Sequence, residues 1–386
     1  MEDELDWAAW PDDDHIMASN GETLTLWSVD GARAIYTISA PKISRPKFSG
    51  GGKQFAIVTD EGLFIHDAAT GAVLKHIVIA GAEEAREVAF SPTGDSIAVA
   101  TGLNVDIYEI SSGKRVASAY SYAVWGRSSA HSLAYLDEQH VLVGGADLIH
   151  IPSQMVIWNY AQKAPGVAAT SGGAWYLMDN FHGPHALVPI ALPHAGATPI
   201  AESELALRPG EQVAVSVDVA MPVATTGTDA AKGPLDQLRD AAARAGFVVA
   251  DGASKKLVAH LTPAAPEQVT YESSTAPGTN LQVLFRVFEV TRQSAELSGR
   301  TRQTITVTPR NLDLELLVDG QSVWTRHWVQ PAPSSVVLRE GEAVDAGVNR
   351  AIDEGSDFFG SAVPSRILAL DVEKARSSKV TAAGLQ

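Results

Sequence analysis

Short apolar runs broken by Gly-, Pro-, Ser- and Asp-rich punctuation fill the first half of the chain, and Glu87–Tyr120 shows the pattern most clearly. Val88-Ala89-Phe90 is a short apolar run and predicts a strand. Ser91-Pro92-Thr93-Gly94 follows, with Pro preset for an early turn position and Gly free to take φ > 0. Ile97–Ala100 is small, β-prone and uncharged, the composition of a strand buried on both faces. Val105-Asp106-Ile107-Tyr108 alternates apolar and polar positions, so one of its faces is wetter. Ser111-Ser112-Gly113-Lys114 is a second turn, and Arg115–Ala119 begins a fourth strand.

Any antiparallel meander reads this way once; recurrence gives the pattern its meaning. Phe48-Ser49-Gly50-Gly51-Gly52 matches Phe90-Ser91-Pro92-Thr93-Gly94. His66–Gly71 matches Tyr108–Gly113, with Trp27–Gly31 as an earlier copy and Trp158-Asn159-Tyr160 as a later one. The anchors Trp27, His66, Tyr108 and Trp158 lie 39, 42 and 50 residues apart, and Trp10, Phe48, Phe90 and Tyr135 lie 38, 42 and 45 apart. Four short strands per unit, at this period, predict the blades of a β-propeller.

The repeats resemble the WD40 family in degenerate form. FSPTGDSIAVA and IYEISSGKRV are close to that family's strand–turn signatures. The departures are specific. No Gly-His dipeptide precedes a repeat. Trp-Ser, His-Asp, Tyr-Glu and Trp-Asn stand where the family has Trp-Asp, so its His/Asp hydrogen-bond network is not carried over.

The expected fold is an all-β WD40-like propeller, or an open propeller arc of about four to five blades, over 1–193. Gly166–Pro193 is the divergent fifth unit, with strands at Ala174–Leu177 and Ala186–Ile190. An open arc leaves strand edges that proteins normally cover. A partner, a second copy, blades N-terminal to Met1 or the C-terminal domain is expected to do so. The abrupt start at Trp7–Trp10 suggests a piece of a longer protein or a misplaced start.

Residues 194–204 (HAGATPIAESE) read as a linker. The periodicity then changes. Gln212–Val219 alternates strictly. Pro234–Ala245 predicts a helix, with Pro at its start and Gly246 at its end. With the strands Phe247–Val249 and Lys256–Leu261 it makes a β-α-β unit. Further strands are expected at Glu267–Glu272, Leu281–Thr291, Thr301–Thr308, Leu312–Val318 and Ser322–Trp328, and a second helix at Glu342–Glu354. Residues 205–372 therefore predict an α+β domain, an antiparallel sheet with two helices on one face. Residues 373–386 are polar and small, a frayed tail. The stretch over roughly 205–370 resembles a C-terminal module of large bacterial proteins with WD40-like repeats, and its β-α-β part is similar to small domains of envelope lipoproteins.

Composition narrows the chemistry. The net charge is −16, from 45 acidic and 29 basic residues, which disfavours nucleic acid as a partner. There are no cysteines, so disulfides, thiol catalysis and Cys-based zinc sites are excluded. The acidic N-terminus has no apolar signal-peptide core, and no uninterrupted apolar run reaches membrane-spanning length. The default expectation is a cytoplasmic protein.

Four candidate sites follow. Tyr122, Trp125 and Arg127 lie in the longest insertion, between the third and fourth repeats. An aromatic loop with an arginine suits a protein contact. His182, His185 and His194, with Asp179, offer imidazole and carboxylate ligands for a transition metal. The plainer reading is a rim loop with exposed histidines. Asp12-Asp13-Asp14-His15 lacks the Gly and distal Glu of a calcium loop and reads as a solvated turn. Gly50–Lys53 lacks the phosphate-loop frame and precedes a strand, so it reads as a blade turn. No G-x-S-x-G elbow occurs. Most tryptophans fall on predicted strands and are expected in the core. The function expected is a non-catalytic protein-interaction scaffold, without cofactor. The alternatives are a metal-dependent binder or enzyme using the histidines, and a part of an envelope-associated assembly.

Overall fold

The computed structural model describes residues 5–20, 22–39, 45–79, 82, 85–121, 123, 132–161, 164, 166–178, 185–220, 233–275, 282–286, 302–330, 332–333, 335–339, 341–354 and 363–386. The chain divides into two compact units: Met1–Glu204 with Val372–Gln386, and Leu205–Asp371.

The first unit is a series of small antiparallel sheets, each a meander in chain order. Trp7–Ala9, His15–Ser19, Thr23–Ser28 and Arg33–Ser39 form the first blade. Lys47–Phe48, Gln54–Thr59, Gly62–Asp67 and Val73–Ile77 form the second. Ala85–Phe90, Ser96–Thr101, Asn104–Glu109 and Arg115–Tyr120 form the third. Leu133–Tyr135, His140–Val143, Asp147–His150 and Met155–Ala161 form the fourth. The fifth has three strands, Gly166–Thr170, Gly173–Met178 and Ala186–Ala191. These are propeller blades in an open arc, as expected.

A β-bulge interrupts the pairing of the third and fourth strands in four blades. It falls at Leu26/Trp27, Ile65/His66, Ile107/Tyr108 and Leu148/Ile149. A bulge sharpens local twist at a fixed place, so it marks equivalent positions. The equivalent of Tyr108 in the fourth blade is therefore Ile149. Trp158 lies one strand later, on Met155–Ala161. The corrected spacing from Tyr108 is 41 residues rather than 50, in keeping with the other repeats. Ile149 carries no aromatic signal, which is why the pattern slipped to Trp158.

Alternate residues of each strand serve opposite neighbours. Phe55 and Ile57 join Met17, Leu24 and Leu26 of the first blade. Ala56 and Val58, between them in sequence, join Ile97 and Val99 of the third blade. Ala98 and Ala100 join Val141 and Val143 of the fourth. Leu142, Leu148 and Ile157 join Tyr176, Val188 and Ile190 of the fifth. The core of this unit is thus a row of interblade layers, the geometry of a repeat protein in which one repeat alone buries too little.

Polar bonds run across each junction. Tyr36 donates to Ala68 O at 2.8 Å, Lys75 Nζ to Ser111 O at 2.9 Å, and Tyr176 to Gly145 O at 2.8 Å, while Ser96 Oγ and Tyr135 OH lie 3.1 Å apart. Two glycines are required where blades approach closely. A Cβ on Gly71 (φ 72°) would sit 2.7 Å from the Tyr36 ring, and one on Gly145 (φ 67°) 2.6 Å from Val167.

The carboxyl-terminal residues do not fray. Ser377–Thr381 pairs in parallel with Met155–Ala161, through Asn159↔Ser377, Tyr160↔Ser378 and Ala161↔Lys379. Trp158 Nε1 donates to Ser378 Oγ at 3.2 Å, and Val380 is buried among Leu142, Tyr176 and Ala197. Gly384–Leu385 adds a short hairpin strand. Two apolar residues in a polar stretch, Val380 and Leu385, dock it on this core. Residues 194–204 are likewise built in rather than a free linker. Ala197 is buried, and Arg376 bonds Thr198 O at 2.9 Å and Glu204 at 3.0 Å. Backbone bonding from Ala201 and the Arg376 guanidinium hold the Glu204 carboxyl below its usual range.

The second unit is α+β. Gln212–Val219 runs through α1 (Pro234–Arg244) to Lys255–Pro263, and the two strands pair in parallel, the pairing a crossover helix imposes. Helix α1 starts with Pro at its first turn and ends in a Schellman arrangement: Gly246 N–H bonds Ala243 O, and Phe247 N–H bonds Ala242 O. Arg310–Val318 and Gln321–Gln330 extend the sheet antiparallel, and Val248–Val249 closes its other side. A second sheet has the order Arg302–Val307, Glu267–Thr275, Gln282–Arg286, Ser335–Val337, and Leu205–Leu207 pairs separately with Ile367–Leu368.

The sequence reading placed both helices on one sheet; the structure gives each sheet one. Leu238, Ala241 and Ala242 of α1 pack with Leu257, Ala259, Leu312, Leu314 and Trp324. Val348 and Ile352 of α2 (Val344–Glu354) pack with Val269, Tyr271, Leu284 and Ile305. Prolines mark the division. Pro263 and Pro266 end one strand before the next begins, and Pro309 does so on the return, where its carbonyl accepts from Ala264 N–H at 2.8 Å. A short helix α3 (Leu370–Ala375) leads out of this unit.

Candidate functional site

The candidate contact residues Tyr122, Trp125 and Arg127 lie outside the described residues. The root of their loop is described, and it is fixed by an acid the sequence reading passed over. Asp147 opens the third strand of the fourth blade, just after Gly144 and Gly145 turn the chain with φ of 59° and 67°. That turn points the carboxylate back toward the third blade. Ser121 Oγ donates to Asp147 Oδ2 at 2.8 Å and Ala123 N–H at 3.2 Å, while Asn159 Nδ2 donates to Oδ1 at 2.6 Å. The backbone adds Ser121 N–H to Leu103 O at 2.9 Å and Gly144 N–H to Ser132 O at 2.7 Å.

Asp147 is 5% exposed. A carboxylate taken from water without partners is strongly disfavoured, so these three donors decide whether burial is tolerated. Two of them, at Ser121 and Ala123, tie the start of the loop to the fourth blade, while the Gly144 N–H bond to Ser132 O fixes its end. Asp106 sits one repeat earlier, also buried, with Thr101 Oγ1 at 3.4 Å and Arg115 at 3.3 Å. An acid inside an otherwise apolar strand, in NVDIY and GADLIH, was the signal available for both.

The histidine candidates separate. His182 lies outside the described residues, and His185 is exposed just before the strand Ala186–Ala191. His194 is a packing residue. Its Nδ1 is 3.0 Å from the Tyr160 hydroxyl, its ring meets Trp158 edge-on at 4.5 Å, and burial lowers its pKa. Among the described residues no group of three His, Asp or Glu is placed to hold a metal ion. Asp12 is used locally: it accepts from Asp14 N–H at 2.9 Å and its carboxylate meets His15 Nδ1 at 2.7 Å. Gly50–Lys53 is the turn between the first two strands of the second blade, closed by Gly52 N–H to Ser49 O at 2.9 Å.

The tryptophans divide as well. Trp324 is buried under the second unit's first sheet. Trp10, Trp27 and Trp175 are exposed, contrary to the core reading. Trp27 and Trp175 fall on the faces of the first and fifth blades turned away from the second and fourth. No described helix is long and apolar enough to cross a membrane.

No protein-family model matches the chain, and no curated protein matches it. Among solved structures, the chain is similar to the WD40 domain of Pan2 from Neurospora crassa, at 10% identity and a TM-score of 0.36 over 49% of this chain. The match spans 62% of that solved chain.

Proposed function

We propose that the chain is a non-catalytic protein-interaction scaffold that offers the loop between its third and fourth blades, with Tyr122, Trp125 and Arg127, to a protein partner. The observation that carries this reading is the anchoring of that loop through Asp147. A loop held at both ends by a rigid blade presents side chains at a low ordering cost, and loops on rigid scaffolds are where binding residues concentrate. Tyr, Trp and Arg are the residues that dominate binding energy at protein interfaces. The net charge of −16 favours a partner with a basic surface.

The test is a quantitative pull-down with three preparations: the wild type, a Tyr122→Ala/Trp125→Ala/Arg127→Ala variant, and a control changed at the exposed turn residue Glu61. The scaffold reading expects one or more proteins retained by wild type and control and lost from the triple variant. Identical retention by all three would remove the loop from the proposal.

A further inference from the structure

The first and fifth blades each have one face that no described blade covers: the fifth exposes Trp175, Leu177, Leu187 and Pro189, and the first exposes Trp27 beside the half-buried Ile16 and Thr25 and the buried Ala18. Each internal junction joins the forward face of one blade to the backward face of the next. The forward face of the second blade presents Ala56 and Val58 from its second strand and Leu63 and Ile65 from its third. Its backward face presents Phe55 and Ile57, with Phe64. The same alternation assigns the free faces at the ends.

In the fifth blade, Ala174, Tyr176, Met178, Val188 and Ile190 pack on the fourth. The forward face is then Trp175 and Leu177 on the second strand, and Leu187 and Pro189 on the third. Trp175 pairs with Pro189 and Leu177 with Leu187 across the sheet. Trp175 is 43% exposed and Leu187 61% exposed. The three strands Gly166–Thr170, Gly173–Met178 and Ala186–Ala191 contain no Asp, Glu, Lys or Arg. Terminal repeats of stable arrays carry a polar outer face; this one does not. Pro189 on the edge strand removes a backbone donor and disfavours growth by strand addition. The face is therefore suited to packing against another sheet.

In the first blade, Met17, Leu24 and Leu26 face the second. The backward face is Ile16 and Ala18 on the second strand, and Thr25 and Trp27 on the third. Ile16 pairs with Trp27 and Ala18 with Thr25. The Thr25 and Thr37 hydroxyls satisfy one another at 3.0 Å, and Trp27 is 41% exposed. Of this blade's strand residues only Arg33 is charged, so the face adds none of the repulsion expected between chains of net charge −16.

We propose that two copies of this chain associate head to tail, with the forward face of the fifth blade of one copy packed on the backward face of the first blade of the other. The contact repeats the forward-to-backward junction that the chain makes four times within itself. Pairing two fifth-blade faces would match two forward faces, an arrangement the chain uses at no internal junction. Such a contact is heterologous: each copy gives one face and receives the other.

That asymmetry makes the proposal testable with full-length chains in sedimentation velocity, and the test is independent of the loop reading above. The variants are Trp27→Glu and Leu187→Glu, both at exposed positions, with circular dichroism melts to verify folding. Trp175→Lys is a second fifth-blade variant. The wild type is expected to sediment above the mass of one chain in a concentration-dependent way. Trp27→Glu alone and Leu187→Glu alone are expected to be monomers. Mixed together they are expected to form a one-to-one dimer through the one remaining intact pair of faces. A wild type that is monomeric at every concentration overturns the proposal. So does a Trp27→Glu chain that still self-associates, or a mixture of the two variants that stays monomeric.

Discussion

The third and fifth blades are built from the same kind of strand, yet only the third is enclosed. In the third, Ile97 and Val99 go to one neighbour and Ala98 and Ala100 to the other, so both faces are dry. In the fifth, Tyr176 and Val188 are buried while Trp175 and Leu187, one residue away in sequence, are exposed. Their second strands, Ser96–Thr101 and Gly173–Met178, are alike in carrying no charged residue. What differs is the neighbour, and a strand buried on both faces is a property of the array rather than of the blade.

Alkaline titration should break the enclosed region most severely. Burial pushes the hydroxyls of Tyr36, Tyr108, Tyr135 and Tyr160 up to about 12, with nearby Asp67 adding to the effect at Tyr36. Their folded pKa lies above the unfolded value near 10, so this contribution is fully present below pH ~10 and is lost as pH rises toward ~12. Melting temperature measured against pH should hold to about 10 and then fall, with ultraviolet phenolate absorbance appearing at unfolding. Next in size, Ile97→Ala removes a fully buried side chain from the junction of the second and third blades and should cost about 2–5 kcal/mol by denaturant titration.

Asp147→Ala should cost about 1–3 kcal/mol, because the buried Ser121 hydroxyl and the half-buried Asn159 amide lose their acceptor. It should also lower retention in the pull-down by freeing the loop root, whereas Ile97→Ala should reduce stability alone. Tyr176→Phe deletes the single bond to Gly145 O and should cost about 1 kcal/mol. Smallest, Leu187→Ala on the open face should change the stability of the dilute monomer by no more than about 0.5 kcal/mol.

The third blade was legible because its turns keep their chemistry. Ser91-Pro92-Thr93-Gly94 closes with Gly94 N–H to Ser91 O, and Gly113 takes the positive φ its turn requires. The fourth blade was misaligned because Ile149 replaced an aromatic at the bulge, which left Trp158 as a false anchor. The docked terminus was hidden because only Val380 and Leu385 mark it, in an otherwise small and polar stretch. In the second unit α1 was readable from Pro234 and Gly246. The division into two sheets depended on which strands meet after Pro263, and that is set by long-range pairing rather than by local pattern. At the candidate site the sequence offered Tyr122, Trp125 and Arg127, which lie outside the described residues. The anchor was not legible, since Asp147 reaches Ser121 across 26 residues.

The most direct test of the open-ended array exploits the absence of cysteine from these 386 residues. Single cysteines at Trp27 and Leu187, on the outward faces, and at Val99 and Val143, between blades, are labelled with maleimide in dilute protein. The account predicts that the two outward cysteines react at the rate of an exposed thiol. The two interblade cysteines should react only as fast as the unit opens. Equal protection at all four positions, persisting on dilution, would mean that the first and fifth blades are covered within a single chain, and would contradict the open array.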